Sequence, residues 1–324
     1  MARHTATWKT SRNALSYYCG SDSVIDAFPL AFVTTFFADG GLPSLNLANT
    51  CNPTDNVTFP GTELPNCAIL ASDIQTCQAK GKIVTISLGG ASRAVGFSSD
   101  AHAQAFADTI WNLFLGGSSS TRPFGNAVLN GYRSPPHIGP QLNFHHRFFS
   151  VDLDIEGGSS TEYAAFVSQI RSHAASSSKM YYVTAAPQCE YPDSSLGTVI
   201  NAAWNFGAWD NWAKTVSPNK NVKIFLGVPA SSSAAGSGYV DGSTLATIVQ
   251  QTRAQYSSFG GVMMWDASQA YANNRYDISA KNALTGGSSQ PPSTSGISST
   301  KTSTTLPTTP TTLGLGLGLG LGLG

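Results

Sequence analysis

The sequence predicts an α/β fold in which a parallel β-sheet is covered by helices, and three observations support this class. Short apolar segments alternate with amphipathic segments along most of the chain, and such repeated strand–helix units build parallel sheets. The chain has 324 residues, which is enough for one large domain of about 250 residues with a tail. No GxGxxG motif follows a first strand, which weighs against a dinucleotide-binding fold. A doubly wound sheet and a TIM barrel are both compatible with these patterns.

Strands are predicted where apolar and β-branched residues form short runs. They cover residues 29–37, 82–88, 151–155, 181–186, 222–228 and 260–265. Helices are predicted over residues 100–115, from near Ser159, and over residues 243–256. Ser159 and Glu162 have the S-x-x-E spacing of a capping box, which predicts the start of the second helix. The predicted buried faces of the first two helices consist of Phe106, Ile110, Leu113, Phe114, Tyr163, Phe166, Val167 and Ile170.

Composition and charge argue against several classes of partner. Only 11% of the residues are charged, whereas about 25% is typical of soluble domains. The 18 Lys and Arg residues balance the 18 Asp and Glu residues, so nothing indicates a nucleic acid or an anionic membrane surface as partner. No apolar run is long enough to predict a transmembrane helix. A weakly charged chain rich in Ser, Thr, Asn and aromatic residues suits a neutral, hydroxyl-rich ligand.

The five cysteines are Cys19, Cys51, Cys67, Cys77 and Cys189. Four of them lie near the N-terminus, where two disulfides would be natural in a secreted protein. Cys189 is either a free buried thiol or a residue whose partner is missing. No CxxC pair or histidine-rich cluster indicates zinc, and we expect no cofactor. Residues 1–13 lack the apolar core of a signal peptide, whereas the sequon at Asn56 is consistent with secretion.

Residues 151–156, with the sequence VDLDIE, carry the strongest indication of chemistry. Alternate residues of a strand share one face, so Asp152, Asp154 and Glu156 form one acidic row. Three crowded carboxyl groups cannot all ionise easily, and we expect them to titrate as a coupled set that shares a proton. This keeps a general acid available near neutral pH, and Glu156, at the carboxyl end of the strand, is the candidate. The alternatives are a solvated edge strand and a divalent-cation site.

Five segments together resemble one enzyme family. They are residues 151–158 (VDLDIEGG), 86–90 (ISLGG), 185–189 (AAPQC), 262–266 (VMMWD) and 46–48 (NLA, with Cys51 shortly after). These segments are similar to the end of the DxxDxDxE signature, the SxGG strand and flanking segments of glycoside hydrolase family 18 chitinases. The similarity is to the hevamine-like class III branch, of the fungal type, and it extends from about residue 15 to residue 284.

The resemblance implies a TIM (β/α)8 barrel that cleaves β-1,4-linked N-acetylglucosamine polymers, chitin or chito-oligosaccharides, with retention and in the endo mode. Glu156 would protonate the glycosidic oxygen while the acetamido oxygen of the substrate attacks the anomeric carbon. Asp154 would orient the acetamido group, and Asp152 would tune Asp154. Trp265 would stack beneath the cleaved sugar, and Gln188 would be a weaker substrate contact.

The same resemblance implies the disulfides Cys19–Cys77 and Cys51–Cys67 and a monomer that is secreted or associated with the cell wall. One alternative is a non-catalytic, lectin-like chitin-binding protein on the same fold, although such relatives commonly lose the acid that Glu156 provides. Another is a glycosidase with two enzyme carboxylates, which needs a second acid about 5 Å from Glu156. The sequence offers no strong candidate for that second acid.

Two departures from the family predict an incomplete barrel. The first strand, with its YWGQ-like sequence, is absent, and Trp8 is not a convincing substitute. The sixth strand, with a catalytic Tyr in a QFYNN-like segment, has no counterpart, because Trp204 is followed directly by a different sequence. In the family a cysteine just beyond that Tyr would pair with Cys189. The lone Cys189 therefore indicates the same loss independently.

A third departure interrupts the acidic strand. Joining Gly131 directly to Val151 gives AVLNGVDLDIEGG, a continuous motif in which Asn130 replaces the first Asp of the signature. A long insert within a central barrel strand would break its ladder and leave backbone groups unpaired. We therefore interpret residues 132–150 as a retained intron, and the alternative is a genuine loop.

The predicted domain organisation has three parts. A chitinase-like barrel domain covers residues 1–285 and includes the segment 132–150. Residues 286–312 are rich in Ser, Thr and Pro and are predicted to form a linker, because such a composition cannot bury enough apolar surface to offset its ordering entropy. Residues 313–324 form a Leu-Gly repeat, which is too rich in glycine for a stable helix or strand.

Overall fold

The computed structural model describes residues 2–5, 13–20, 24–129, 150–177, 181–187, 205–236 and 238–286. In these ranges the strands are β1 Ala2–Thr5, β2 Ala27–Thr35, β3 Ser44–Leu45, β4 Ile83–Gly90, β5 Val151–Ile155, β6 Val183–Ala185, β7 Ile224–Pro229 and β8 Phe259–Trp265. They form one sheet of order β3-β2-β4-β5-β6 and a second of order β1-β8-β7. All pairings are parallel except that of β2 with β3.

The helices lie mainly between successive parallel strands. They are α1 Leu15–Tyr18, α2 Ala71–Ala79, α3 Asp100–Phe114, α4 Tyr163–Ala175, α5 Phe206–Thr215, α6 Gly242–Gln255, α7 Ala267–Ala272 and α8 Tyr276–Thr285. Parallel strands joined by helices confirm the predicted α/β class. Closure of the two sheets into one barrel stays a prediction. None of the helices in the described ranges has the length and hydropathy of a membrane-spanning segment.

The six predicted strands all occur, with boundaries that shift by a few residues. The acidic strand was predicted at residues 151–155, and β5 has those bounds. The prediction that the first strand is absent is wrong. The structure instead places β1 parallel to β8, with Ala2 opposite Val262 and Thr5 opposite Trp265. Pairing along this edge depends on backbone groups, so a strand can form there without the family sequence.

The three predicted helices also occur, but the start of α4 differs from the prediction. Its N-cap is Glu162, which has a left-handed backbone (φ 64°) and makes no capping hydrogen bond through its side chain. The backbone N–H of Ser159 donates to the carbonyl of Val95, and the Ser159 hydroxyl accepts from the N–H of Thr161. The predicted capping box is therefore wrong, because tertiary contacts and a local turn engage Ser159 instead.

The apolar faces of the sheet and helices form one large core. On β5, Val151, Leu153 and Ile155 are buried in it, together with all the predicted buried residues of α3 and α4. Both predicted disulfides are present, Cys19–Cys77 and Cys51–Cys67, with Cα–Cα distances of 5.2 and 5.8 Å. They fasten α1 to α2 and close the long β3–α2 loop. Cys189, the expected position of the lost sixth strand, and residues 132–149 lie outside the described residues.

Candidate active site

The acidic row lies on a central strand. β5 pairs with β4 on one side and β6 on the other, so the alternative of an edge strand is wrong. Exposure alternates along β5, with the aliphatic residues buried and Asp152 and Asp154 partly exposed. The acids therefore lie on the face opposite the helices, as the period-two pattern predicted. Glu156 follows at the carboxyl end of the strand, where its side chain reaches solvent.

Asp152, the deepest member of the row, is held by hydroxyl groups from both neighbouring strands. Ser87 Oγ on β4 donates to Asp152 Oδ2 over 2.7 Å. Thr184 Oγ1 on β6 donates to Asp152 Oδ1 through a short hydrogen bond. Hydrogen bonds to a carboxylate favour its ionised form and fix its orientation. The two hydroxyl donors therefore fix the orientation of the Asp152 carboxyl group at the base of the acidic row.

Asp154 lies opposite Gly89 in the β4–β5 register. A Cβ atom at Gly89 would lie 2.3 Å from the Asp154 carbonyl oxygen, and its φ of +106° disfavours other residues. This glycine therefore lets the two strands approach closely at the level of Asp154. Gly158, after Glu156, makes a similar approach, because a Cβ atom there would lie 2.1 Å from the carbonyl oxygen of Val95. Gly89 and Gly158 thus allow close backbone contacts beside Asp154 and just after Glu156.

Glu156 has the protonation behaviour of a candidate acid. Although its side chain is exposed, partial desolvation of the carboxyl group raises the pKa of Glu156 above its ordinary value. A raised pKa keeps the carboxyl group protonated to higher pH than in an ordinary glutamic acid. The arrangement can therefore donate a proton to a bound group at the carboxyl ends of the strands.

Trp265 ends β8, and an aromatic contact extends from it towards the acidic strand. Its indole is stacked on the ring of Phe32, with ring centroids 5.8 Å apart and planes inclined by 19°. The ring of Phe32 covers Gly90, where a Cβ atom would lie 2.8 Å from the ring. Gly90 is in register with Ile155, which precedes Glu156. Phe32 and Gly90 therefore bridge the strand ends that carry Trp265 and Glu156.

Most of the predicted site residues can be placed, and three further residues join them. Gln188 lies outside the described residues. Phe32, Ser87 and Thr184 were not predicted as site residues. The alternation of side-chain direction along residues 86–90 and 181–186 could have placed Ser87 and Thr184 on an interior face. Their hydrogen bonds to Asp152 could not be predicted, because they depend on the register of the neighbouring strands. The described residues contain no cluster of three or more His, Cys, Asp or Glu suited to a metal ion.

The parallel strands, the covering helices and the acidic row define an α/β protein with a carboxylate site at the carboxyl ends of the strands. Comparison with known families identifies this protein more closely. The sequence model for "Glycosyl hydrolases family 18" matches residues 6–211. The chain therefore belongs to glycosyl hydrolase family 18.

Among named relatives, Chitinase 2 of Rhizopus oligosporus is 46% identical over 295 residues, covering 85% of this chain and 49% of the relative. The class III chitinase of Arthroderma benhamiae is 37% identical over 313 residues, covering 86% of this chain and 87% of the relative. The chain thus spans about half the length of the Rhizopus protein and most of the Arthroderma protein.

Two solved structures have a similar fold. The ICChI chitinase of Ipomoea carnea is 28% identical with a TM-score of 0.67, and the match covers 87% of this chain and 99% of that one. The xylanase and α-amylase inhibitor protein XAIP-II of Scadoxus multiflorus is 26% identical with a TM-score of 0.65, covering 89% and 98%. The same fold therefore accommodates proteins named for hydrolysis and for inhibition, and the site has to decide between such functions.

Proposed function

We propose that this protein hydrolyses β-1,4 linkages between N-acetylglucosamine units of chitin, in the endo mode and with retention of configuration. The observation that carries the proposal is the position of Glu156. It ends a central acidic strand, and desolvation raises its pKa. The relatives of this protein from Rhizopus and Arthroderma are named chitinases, which supports chitin or chito-oligosaccharides as the substrate.

The proposed reaction is assisted by the substrate. Glu156 donates its proton to the glycosidic oxygen as the bond to the anomeric carbon breaks. The acetamido oxygen of the same sugar attacks that carbon and forms an oxazolinium ion, which replaces an enzyme-bound intermediate. The ionised Glu156 then takes a proton from the water that opens this ion. Asp154 orients the acetamido group and stabilises its positive charge, and Asp152 tunes Asp154.

The sugar would be held mainly by stacking and by polar contacts at the strand ends. Trp265, supported from one side by Phe32, offers an aromatic surface of the kind that packs against a pyranose ring. Gln188 is proposed as a further substrate contact. We also propose a secreted or wall-associated monomer, because two disulfides in the N-terminal half suit an oxidising compartment.

We also propose that residues 132–150 are encoded by a retained intron, which interrupts the barrel domain proposed over residues 1–285. Ser150, the last of these residues, is followed directly by β5, and its backbone N–H donates to Tyr182 O while its carbonyl accepts from Ile86 N. These bonds support a strand that begins before Val151. In the joined sequence Gly131 would take the place of Ser150, and the strand would continue upstream without interruption. A mature transcript that encodes residues 132–150 would exclude this proposal.

The turnover of the chain as written is expected to be low. No QFYNN-like segment supplies the family Tyr that helps to hold the acetamido oxygen. Its loss removes one contact to the group that acts as nucleophile, and loss of such a contact costs transition-state stabilisation. Robust turnover of a chito-oligosaccharide by this chain would contradict that expectation.

The test of the function compares Glu156→Gln with the parent chain on a chito-oligosaccharide. Glu63→Gln is the matched control, because it removes the same charge from an exposed residue of the β3–α2 loop that is not part of the acidic row. We expect Glu156→Gln to abolish hydrolysis while binding is retained, and Glu63→Gln to preserve both. Equal turnover in Glu156→Gln and the parent would refute the proposed role of Glu156.

A second candidate is a non-catalytic chitin-binding protein, since XAIP-II shows that a closely similar fold occurs in a protein named as an inhibitor. This candidate predicts that the parent chain binds the oligosaccharide without cleaving it. It also predicts that Glu156→Gln leaves the measured affinity and the absence of products unchanged.

A further inference from the structure

The loop between β3 and α2 contains an acceptor sequence for an N-linked glycan, Asn56-Val57-Thr58. It is the only Asn-x-Ser/Thr triplet of the 324-residue chain that lacks proline in the middle, since Asn52-Pro53-Thr54 is blocked by its proline. The proposed reaction uses none of these residues. Whether the triplet can act as an acceptor depends on how much of the Asn56 side chain the fold itself requires.

The fold uses the oxygen of the Asn56 amide and not its nitrogen. Asn56 Oδ1 accepts a hydrogen bond from the backbone N–H of Asn52 over 3.0 Å. Asn56 Nδ2 has no hydrogen-bond partner among the described residues, and it is accessible to solvent. A glycan replaces one hydrogen of Nδ2 and leaves Oδ1 as an acceptor. The folded loop can therefore carry a glycan without losing the bond to Asn52.

Asn52 has the opposite arrangement, although it also begins a triplet that ends in Thr. Its Nδ2 donates to the carbonyl of Ala48 over 2.9 Å and to Asp55 Oδ2 over 2.7 Å. Its Oδ1 accepts from the backbone N–H groups of Thr54 and Asp55, and the residue is only 8% exposed. Asn52 therefore holds the turn with its whole amide, which leaves Asn56 as the available acceptor.

The surroundings of Asn56 suit a bulky, hydrated group. Val57, the middle residue of the triplet, is 82% exposed, the largest fraction among the large apolar side chains of the described ranges. Thr58 forms an antiparallel bridge with Pro65, and the disulfide Cys51–Cys67 closes the loop. The Thr58 hydroxyl has no hydrogen-bond partner in the described part of the chain. The backbone of the triplet is thus fixed, while the fold leaves unused the nitrogen and the hydroxyl that define an acceptor.

We propose that Asn56 carries an N-linked glycan, transferred from a lipid-diphosphate-linked oligosaccharide by a transferase of the secretory compartment. Asn56 Nδ2 forms a bond to the anomeric carbon of the first sugar, and the bond from that carbon to the diphosphate oxygen breaks. The amide nitrogen loses one proton, and the lipid diphosphate leaves with the electron pair. The proposal rests on the proposed secretion of the chain and is independent of the proposed hydrolysis.

The test measures the mass of the full chain, expressed in a eukaryotic host behind an added secretion leader, before and after treatment with a peptide-N-glycosidase. Chains from the medium and from sealed secretory membranes are both analysed, so that the result does not depend on export. The enzyme removes only sugars linked to Asn, so sugars on the Ser- and Thr-rich residues 286–312 do not contribute.

The parent is expected to lose the mass of one glycan on this treatment and to gain a carboxyl group at position 56, because the enzyme hydrolyses the side-chain amide. Parent chains from both fractions whose mass does not change would overturn the proposal. Mass loss without turnover of a chito-oligosaccharide would support the glycan and reject the proposed function. Turnover without mass loss would overturn the glycan alone.

Variants of the two triplets assign the glycan to its position. Thr58→Ala should abolish the mass loss while Asn56 keeps its hydrogen bond to Asn52, and Thr58→Ser, which retains a hydroxyl, should preserve it. Thr54→Ala is the matched control, because it removes an exposed Thr from the triplet that contains proline, and it should leave the mass loss unchanged. A mass loss that survives in Thr58→Ala would overturn the assignment to Asn56.

Discussion

Gly89→Ala is the perturbation whose outcome the geometry defines most sharply. The added Cβ atom would lie 2.3 Å from the carbonyl oxygen of Asp154, and Gly89 has a φ of +106°. Backbone strain at positive φ costs about 1–2 kcal/mol for a residue with a Cβ atom, and overpacking adds about 1–3 kcal/mol. Because the atom that is struck belongs to the backbone of β5, relief requires movement of the acidic strand itself.

The control is Gly41→Ala, which combines a φ of +75° with no heavy atom within 4 Å of the added Cβ. It should lose only the strain of about 1–2 kcal/mol, so urea unfolding should show Gly89→Ala to be the less stable variant by about 1–3 kcal/mol. Displacement of Asp154 by about 1 Å would also reduce turnover by about 100-fold, whereas Gly41→Ala should retain it. Equal stability losses and equal turnover in the two variants would refute the inferred close approach of β4 and β5.

Three further outcomes are expected. In the pH profile of kcat/KM, the basic limb should lie above the ordinary glutamic acid pKa of about 4.3. The reason is that desolvation raises the pKa of Glu156, and activity is lost only as pH rises through that pKa. A basic limb at the ordinary value would contradict the assignment of Glu156 as the proton donor. Removal of the disulfide Cys19–Cys77 should destabilise the chain by about 1 kcal/mol more than removal of Cys51–Cys67, because the sequence separations are 58 and 16 and a longer closed loop gives more stabilisation. Urea unfolding of the two double-alanine variants measures the difference. A larger loss of stability without Cys51–Cys67 would contradict the prediction. Deleting residues 132–150 should raise Tm, because the acidic strand then continues upstream, and a lower Tm would favour a genuine loop.

The sequence was most informative where one element determines its own geometry. The bounds of β5 and the side on which Asp152 and Asp154 lie follow from a period of two residues, and this period is a property of the strand backbone. The buried faces of α3 and α4 follow from helical spacing in the same way. These features needed no knowledge of neighbouring elements.

Several features that depend on contacts between elements were not predicted, or were predicted wrongly. The capping box at Ser159 failed because the chain there packs against the loop that contains Val95, a contact made by the folded structure and not by local sequence. The first strand was predicted to be absent because its YWGQ-like family sequence does not occur, whereas its pairing with β8 depends on backbone groups. The partners of Asp152 depend on the register of β4, β5 and β6, and one residue of slippage would have exchanged their faces.

The composition of the site favours catalysis over binding alone. A protein that only holds a neutral sugar needs an aromatic surface such as Trp265 supported by Phe32, together with a few polar contacts. It gains little from carboxyl groups withdrawn from water, because desolvating a charge is costly unless hydrogen bonds compensate. Here Ser87 and Thr184 provide that compensation at Asp152, while Glu156 keeps a raised pKa at the end of the strand. Such an arrangement combines a hydrogen-bonded carboxyl group with a carboxyl group of raised pKa on one strand, and that combination is useful for a proton transfer and unnecessary for recognition.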